Sequence, residues 1–295
     1  MPKSTETGGA GGSGGAREPG GAREPGGAGE PGAAVEPGAA GASYRLLEAG
    51  EPAPVIELNL SGESPFVILV DHAGRAIPRR LGDLGLPAGE LVRHIAWDIG
   101  ALEVAKRMAL ALDAPLLAQH YSRLVIDCNR DPSVPSSIPT VGEFTEIPGN
   151  QHLSAAEIEA RRVEIFEPYH QRVRALLDAR EAAGRPTLLV AQHSMTNVFK
   201  GVRRPMQAAV LYNRDRRLAG RVLDALRAES GLVVGDNEPY FVSDDTDYSV
   251  PRHAEARGLL HVEVEIRQDL ISDVGGQEEW ARRMVRVLRE AERGI

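Results

Sequence analysis

The chain has 295 residues, 26% of them charged and 42% hydrophobic, with a formal net charge of −8. This negative charge disfavours nucleic acid and anionic membranes as partners, although it leaves room for a local basic pocket that binds a small anion. The single cysteine, Cys128, excludes an internal disulfide and indicates a reducing compartment. No apolar run approaches the roughly 20 residues of a membrane span. We therefore expect a cytoplasmic protein with no nucleic-acid or membrane partner, and leave the substrate and homo-oligomer formation open.

Residues 1–43 differ in composition from the rest of the chain. The hexapeptide Gly-Gly-Ala-Arg-Glu-Pro occurs at 14–19 and at 20–25, and less regular copies follow. This repeat has no large apolar side chain whose burial could offset the entropy of ordering it. We predict a disordered tail over residues 1–43 and a single catalytic α/β domain over residues 44–295, which is long enough for one sizeable core.

Removing the tail should leave the protein unchanged. A chain that starts at Ser43 is expected to keep full activity and thermal stability, because residues 1–42 offer nothing to bury. Thermal melts and activity assays of the full and shortened chains check this. A large drop in melting temperature after truncation would contradict it.

The central strand of the predicted sheet is an unbroken apolar run over residues 65–70. Such a run is typical of a strand that is buried on both faces. It stops at Asp71 and His72, so that two polar groups lie at the carboxyl end of a strand. Open α/β sheets bind their ligands at this position.

Apolar periodicity predicts the remaining elements. Further strands are expected at 55–60, 114–118, 124–126, 187–191, 208–212, 261–267 and from 233. Helices are expected at 94–112, 154–183, 216–230 and 277–293, and residues 133–153 are expected to form a long ordered loop. Ser154 and Glu157 form the sequence pattern of a capping box. Alternating strands and helices predict a three-layer α/β/α sandwich with a mixed, mostly parallel sheet.

Two histidines follow or end predicted strands, and a parallel sheet would bring them together. His72 and His193 with one carboxylate would supply the three protein ligands of a catalytic zinc, leaving a fourth position for water. Asp98 and Asp71 compete as the carboxylate. Asp98 is equally compatible with a first-turn helix residue that the helix dipole stabilises.

Glu265 lies in the last predicted strand, on the same face as Glu263 and Arg267. A carboxylate beside a zinc-bound water is the usual general base of metal-assisted hydrolysis. The alternative is a salt bridge between Glu265 and Arg267.

Arg123 and Arg130 bracket the strand predicted at 124–126. Guanidinium groups bind carboxylates bidentately and can stabilise the charge that develops on a carbonyl oxygen, although surface arginine is the alternative. The histidines without a comparable setting are expected to be surface or packing residues, namely His94, His120, His152, His170 and His261.

The candidate residues lie in seven short blocks that run in order from about Ser64 to Leu288. The blocks are Asp71 to Gly74, His94 to Ala101, Tyr121 to Arg130, Ile147 to Asn150, His193-Ser194, Gly235 to Tyr240 and Glu265 to Ile271. Together they resemble the signature sequences of the N-formylglutamate amidohydrolase family. That family is similar in fold to zinc carboxypeptidases and aspartoacylases, so the resemblance implies a carboxypeptidase-like core.

The resemblance also implies a site. It implies that His72, Asp98 and His193 bind one divalent metal ion, with zinc as the favoured ion, and that Glu265 is the catalytic base.

By the same analogy, Arg123 would be catalytic by polarising the scissile carbonyl group, while Asn129 and Arg130 would hold a substrate carboxylate. Ser194, which follows His193, and Arg267, which lies two residues after Glu265, are further site candidates.

The implied substrate is an N-acyl amino acid, with N-formyl-L-glutamate and water giving formate and L-glutamate. A deacylase or carboxypeptidase-like hydrolase of another N-acyl amino acid is one alternative, and a non-catalytic, metal-dependent small-anion binding protein is another. Glu265 argues against the second, because binding alone needs no base. The chain departs from the family pattern at Gly74, Arg75 and Met195, which are expected to border the pocket.

Overall fold

A mixed sheet between two layers of helices forms the core of residues 44–295, which are the residues that the computed structural model describes. The three-layer α/β/α prediction is confirmed. The predicted tail over residues 1–43 lies outside the described residues and stays a prediction. Within residues 44–295, no helix combines the length and the apolar character that a bilayer span requires.

The main sheet has seven strands. They are β1 (Val55–Leu58), β2 (Phe66–Val70), β3 (Leu116–Gln119), β4 (Leu188–Met195), β5 (Ala208–Leu211), β6 (Val234–Asp236) and β7 (Leu260–Arg267). Their spatial order is β1, β3, β2, β4, β7, β5, β6. The β1/β3 and β7/β5 pairs are antiparallel, and the other neighbouring pairs are parallel. A mixed, mostly parallel sheet is therefore confirmed.

Five α-helices cover the sheet. They are α1 (Ala101–Leu112), α2 (Ala155–Arg161), α3 (Glu167–Ala182), α4 (Arg217–Arg227) and α5 (Val274–Glu292). A π-helical turn, Arg162–Phe166, joins α2 to α3, and the predicted capping box of Ser154 and Glu157 opens α2. Helices α1, α4 and α5 form one apolar core with one face of the sheet. Helices α2 and α3 form a second core with the opposite face.

Short elements complete the chain. Two hairpins pair Val141–Gly142 with Thr145–Glu146 and Val198–Phe199 with Val202–Arg203. The 3₁₀ turns are Arg79–Leu81, Glu90–Val92, Pro135–Ser137, Pro148–Asn150, Glu255–Arg257 and Gln268–Leu270, and a second π turn is Val250–Ala254.

The strand predicted at 124–126 is wrong. These residues form a turn in which the Val125 N–H donates to the carbonyl of Ser122 at 2.9 Å. The turn is nevertheless completely buried. Burial without sheet pairing explains the error, because a short apolar run has the same composition in both settings.

The predicted helix at 94–112 begins only at Ala101. Gly100 precedes it with φ +80°, and a Cβ at this position would lie 2.1 Å from the Ile271 carbonyl oxygen. Because Gly100 leaves the helical conformation, residues 94–99 form turns despite their apolar spacing. Asp98 therefore precedes the helix, and its interpretation as a first-turn residue is wrong.

The alternation predicted in the last strand is confirmed in β7. Val262, Val264 and Ile266 pack in the core shared with α1, α4 and α5. Glu263 and Glu265 are on the opposite face of the strand, where they line a pocket. Strand β4 is longer than predicted, so His193 lies inside this strand and not after it.

Two buried histidines, His170 of α3 and His253, pack against each other. His170 Nδ1 lies 2.8 Å from His253 Nε2, and His170 Nε2 lies 2.9 Å from the Cys128 carbonyl oxygen. If His170 donates to that carbonyl, its Nδ1 accepts from His253, and both rings are neutral. Burial lowers the pKa of His170 and lowers that of His253 to about 3.

Acid should therefore destabilise the fold through this pair. The folded-state pKa of His253 lies below its ordinary value of 6.5, so its stabilising effect is complete above pH 6.5 and is lost progressively as the pH falls towards 3. Between pH 7 and 5 we expect the free energy of unfolding to fall by roughly 2 kcal/mol through His253, and His170 contributes in the same direction. Urea melts of wild type and His253→Gln measure it, with His152→Gln on the surface as control. The same pH dependence in all three proteins would contradict the prediction.

Candidate active site

A pocket of about 500 Å³ lies at the carboxyl ends of the parallel strands. Its lining includes His72 after β2, Asn129 after β3, His193 near the end of β4 and Glu265 near the end of β7. Residues that are far apart in the sequence meet here because these four strands run in the same direction.

His72 is held in one ring orientation by a carboxylate. Its Nε2 lies 2.7 Å from Asp127 Oδ1, which makes this nitrogen the donor. Its Nδ1 is buried without a hydrogen-bond partner and lies 3.6 Å from Asp98 Oδ2. Nδ1 therefore faces Asp98 without a hydrogen bond.

Asp98 connects the two histidines. Its Oδ2 lies 3.0 Å from His193 Nδ1 and accepts the backbone N–H of Ser194 at 3.2 Å. Its own backbone N–H donates to the carbonyl of His72 at 2.9 Å, which ties the turn before α1 to the end of β2. Burial alone would raise the pKa of Asp98, but His72 and His193 outweigh burial and hold it below its usual range.

The two carboxylates that the sequence left as alternatives lie on different sides of His193. Asp71 Oδ1 accepts the Tyr169 hydroxyl at 2.6 Å, and its Oδ2 lies 3.8 Å from His193 Nε2. Asp98 instead approaches the Nδ1 atoms of both histidines. This geometry favours Asp98 as the partner of His72 and His193 in one cluster.

The cluster could hold a metal ion. One potential ligand atom from each of His72, Asp98 and His193 lies within 4.8 Å of the others, and all three side chains are buried. Two imidazoles and a carboxylate match the donors of catalytic zinc sites. A buried nitrogen without a partner, as at His72, is costly unless something binds it.

Glu265 projects from β7 into the same pocket. It pairs in register with His193 of β4, and its Oε2 is buried without a hydrogen-bond partner. Burial, followed by the charge of Asp98, raises the pKa of Glu265 to about 7. A carboxyl group with a pKa near neutrality is suited to accepting and returning a proton. The alternative salt bridge to Arg267 is wrong, because Arg267 pairs with Asp269 at 2.7 Å.

Arg123 lines the pocket beside the cluster. Its Nε and Nη2 donate to Asp127 Oδ2 at 3.0 and 2.5 Å, and its Nη1 lies 3.7 Å from Asp98 Oδ1. Asp127 thus holds His72 with one oxygen and Arg123 with the other. The sequence analysis missed this role, although the position of Asp127 four residues after Arg123, at the end of an apolar run, was a usable signal.

Asn129 and Arg130 also line the pocket. Asn129 Oδ1 accepts the N–H groups of Tyr248 and Ser249 at 2.9 and 3.0 Å, and its Nδ2 donates to Asp247 at 3.0 Å. These contacts make Asn129 an anchor for the loop around Tyr248. Arg130 lies 3.5 Å from Asp247 and keeps a quarter of its side chain exposed at the pocket.

The two remaining site candidates differ in position. Ser194 lines the pocket, and its Oγ donates to the carbonyl of Ile99 at 2.9 Å, which supports the turn that carries Asp98. Arg267 is not among the lining residues, and its Nη1 donates to the carbonyls of Arg204 and Met206.

The expected pocket border is partly wrong. Met195 lines the pocket, but Gly74 and Arg75 do not, and Arg75 lies over the Trp97 ring at 5.5 Å. His94, expected to be a surface or packing residue, does line the pocket. The sequence analysis did not predict this position, because residues 94–99 form turns and not the predicted helix.

A buried His-Asp-His cluster, an unpaired carboxylate and an arginine meet in one open pocket, an arrangement that serves hydrolysis. The family model of N-formylglutamate amidohydrolase matches residues 64–272. The chain belongs to the N-formylglutamate amidohydrolase family, and its class is therefore that of hydrolases that act on amide bonds.

Two solved structures share the fold of this chain. The gene product Atu2144 from Agrobacterium tumefaciens is 37% identical, with a TM-score of 0.82 over 85% of this chain and 99% of that one. An N-formylglutamate amidohydrolase from Ralstonia eutropha JMP134 shares the fold at 22% identity, with a TM-score of 0.56 over 83% of this chain and 100% of that one. No curated protein sequence matched the chain.

Proposed function

We propose that this protein is a metal-dependent amidohydrolase that converts N-formyl-L-glutamate and water to formate and L-glutamate. The observation that carries the proposal is the unpaired Glu265 carboxylate beside the cluster of His72, Asp98 and His193. Membership of the family supports the choice of substrate.

His72, Asp98 and His193 would hold the ion, and their donor set favours zinc. When bound, such an ion supplies Lewis-acid activation of a water molecule and of the substrate carbonyl. Asp127 keeps the proton of His72 on Nε2, which leaves Nδ1 available as a ligand.

Proton transfer is the task of Glu265 in this proposal. Its carboxylate accepts a proton from the attacking water, and the resulting carboxylic acid then donates that proton to the departing amine nitrogen. The pKa of about 7 suits both steps, because neither protonation state is strongly favoured at neutral pH.

Two arginines complete the site. Arg123 donates to the oxygen of the scissile carbonyl and stabilises the negative charge that develops there. Its bonds to Asp127 hold the guanidinium before the substrate arrives. Arg130 binds the α-carboxylate with the part of its guanidinium that faces the pocket. Asn129 orients the adjoining loop.

The metal-loaded protein should be tested on a panel of N-formyl and N-acetyl amino acids, with free amine as the readout. N-formyl-L-glutamate is expected to give the highest kcat/KM. A higher value for a different N-acyl amino acid would identify a deacylase of that substrate. Metal binding with no amine release from any substrate would identify a small-anion binding protein.

A further inference from the structure

Arg204 is a buried arginine beside the pocket that has no carboxylate partner within residues 44–295. Its Nη1 donates to the Thr196 carbonyl at 3.3 Å, and its Nη2 donates to the Tyr240 hydroxyl. Arg123 and Arg130, which line the pocket, each have an aspartate within 4 Å. Arg204 thus contributes a positive charge that the protein does not neutralise locally.

Two other buried arginines lie outside the pocket and make more hydrogen bonds to the chain, although Nε of Arg161 has no partner. Arg161 donates to two carbonyls and to Asn150 Oδ1. Arg180 donates to two carbonyls and to the Thr187 hydroxyl. Each of them links segments of the fold through three acceptors, whereas Arg204 has one carbonyl and one neutral phenol.

The guanidinium of Arg204 lies directly behind the pocket wall. Its central carbon is 5.1 Å from the centroid of the Phe199 ring and 4.6 Å from that of Tyr240. Both rings and Thr196 line the pocket. Arg204 itself is not among the lining residues, so its charge acts on a ligand in the pocket through the Tyr240 hydroxyl that it contacts.

The charge of Arg204 acts on ionisable groups that line the pocket. Burial raises the pKa of Glu265, and the charge of Arg204 is one of the influences that oppose this rise. His94, on the pocket rim, also feels this charge, although burial is the main reason that its pKa is lowered.

Tyr240 supplies a donor in front of this charge. Its hydroxyl oxygen accepts from Arg204, so its own O–H remains available to another acceptor. Burial raises the pKa of Tyr240, so the phenol stays protonated at neutral pH. A phenol donor with an arginine behind it is complementary to a carboxylate.

The loop that carries Tyr240 is fixed by local contacts. A Cβ at Gly235 would lie 2.2 Å from the Glu238 carbonyl oxygen, so only glycine permits this tight turn. Asn237 Oδ1 accepts the N–H of Tyr212 at 2.9 Å. The position of the Tyr240 hydroxyl is therefore built into the fold.

We propose that Arg204 and Tyr240 form a second carboxylate-binding position, which takes the side-chain carboxylate of a dicarboxylic N-acyl amino acid. The inference rests on the proposed function, in which Arg130 binds the α-carboxylate. A cationic position at Arg130 and a phenol donor at Tyr240, with the charge of Arg204 behind it, select a dianionic substrate over a monoanionic one of the same size.

The test compares N-formyl-L-glutamate with N-formyl-L-glutamine, which has nearly the same shape without the second charge. Wild type should prefer the glutamate compound in kcat/KM by roughly 10- to 100-fold, the effect of a hydrogen bond to a charged group. Arg204→Gln should lose most of this preference, because kcat/KM for the glutamate compound falls much further than that for the glutamine compound. Arg203→Gln, at the exposed neighbouring position, is the matched control and should keep the preference.

An equal loss on both substrates in Arg204→Gln would overturn the proposal, because it would show a general structural effect. Tyr240→Phe should reduce the preference by about 3- to 10-fold. An unchanged preference in this variant would also count against the proposal, even if Arg204→Gln failed to fold.

Calorimetric binding of both compounds to metal-loaded Glu265→Gln separates this inference from the proposed function. If wild type hydrolyses neither compound, the proposed function fails, but tighter binding of N-formyl-L-glutamate that Arg204→Gln abolishes would still support the second position. Equal binding of the two compounds would refute it.

Discussion

Replacing His72 or His193 by alanine should remove both the bound metal and the hydrolytic activity. Purified wild type is expected to hold about one divalent ion per chain, and a chelator should stop turnover. In the proposed site each histidine would supply one of three protein ligands, so the loss of either would leave two, which is too few for stable binding. Elemental analysis after dialysis and amine-release assays measure the two effects. His152→Ala, on the surface, is the control.

The same assays distinguish the two aspartates. Asp98→Asn should lose metal, because Asp98 Oδ2 approaches both His72 Nδ1 and His193 Nδ1. Asp71→Asn should retain metal, because Asp71 lies at His193 Nε2 and bonds Tyr169. Stoichiometric metal in a His72→Ala, His193→Ala double variant would refute the ligand assignment.

The second large effect is expected at Glu265. Glu265→Gln keeps the size of the side chain and much of its hydrogen bonding, but it cannot accept the proton of the attacking water. Turnover should fall by roughly 10²- to 10⁴-fold, while metal content and substrate affinity stay near those of wild type.

Single-turnover kinetics and metal analysis of the same preparation measure this difference. Glu263→Gln is the matched comparison, since Glu263 lines the pocket two residues away on the same strand face. Near wild-type turnover in Glu265→Gln would show that Glu265 is not the base, and Glu263 and Asp71 would then be the candidates. Loss of metal in that variant would instead place Glu265 among the ligands.

Much of the fold could be predicted because its sheet is buried on both faces. The apolar run of β2 and the strict alternation of β7 are each explained by one element, a strand whose apolar side chains are buried. The turn at 124–126 could not be distinguished from a strand, because its three side chains are as buried as those of β2. The start of α1 was also missed, because the close approach of Gly100 to Ile271 depends on a segment far away in the sequence.

The candidate site was predictable only where residue type signals chemistry. His72 and His193 stood out because histidine and strand ends are both specific signals. Asp127 was not assigned a role, because its value comes from contacts with His72 and Arg123 that only the folded chain makes. Arg204 gave no signal at all. An arginine that follows a short hairpin is ordinary on a surface, and only its burial and its contacts with two rings distinguish it.

The Asp127 side chain positions two residues at once, since one oxygen bonds His72 and the other bonds Arg123. Under divergent evolution, a substitution that moved the guanidinium to suit a longer acyl group would also displace the histidine, so most such changes would be lost to selection. Substitutions that change substrate specificity should then occur in parts of the pocket wall that do not contact Asp127, such as those formed by Phe199 and Tyr240. Homologues that act on different N-acyl amino acids should therefore differ around these two rings and keep the aspartate.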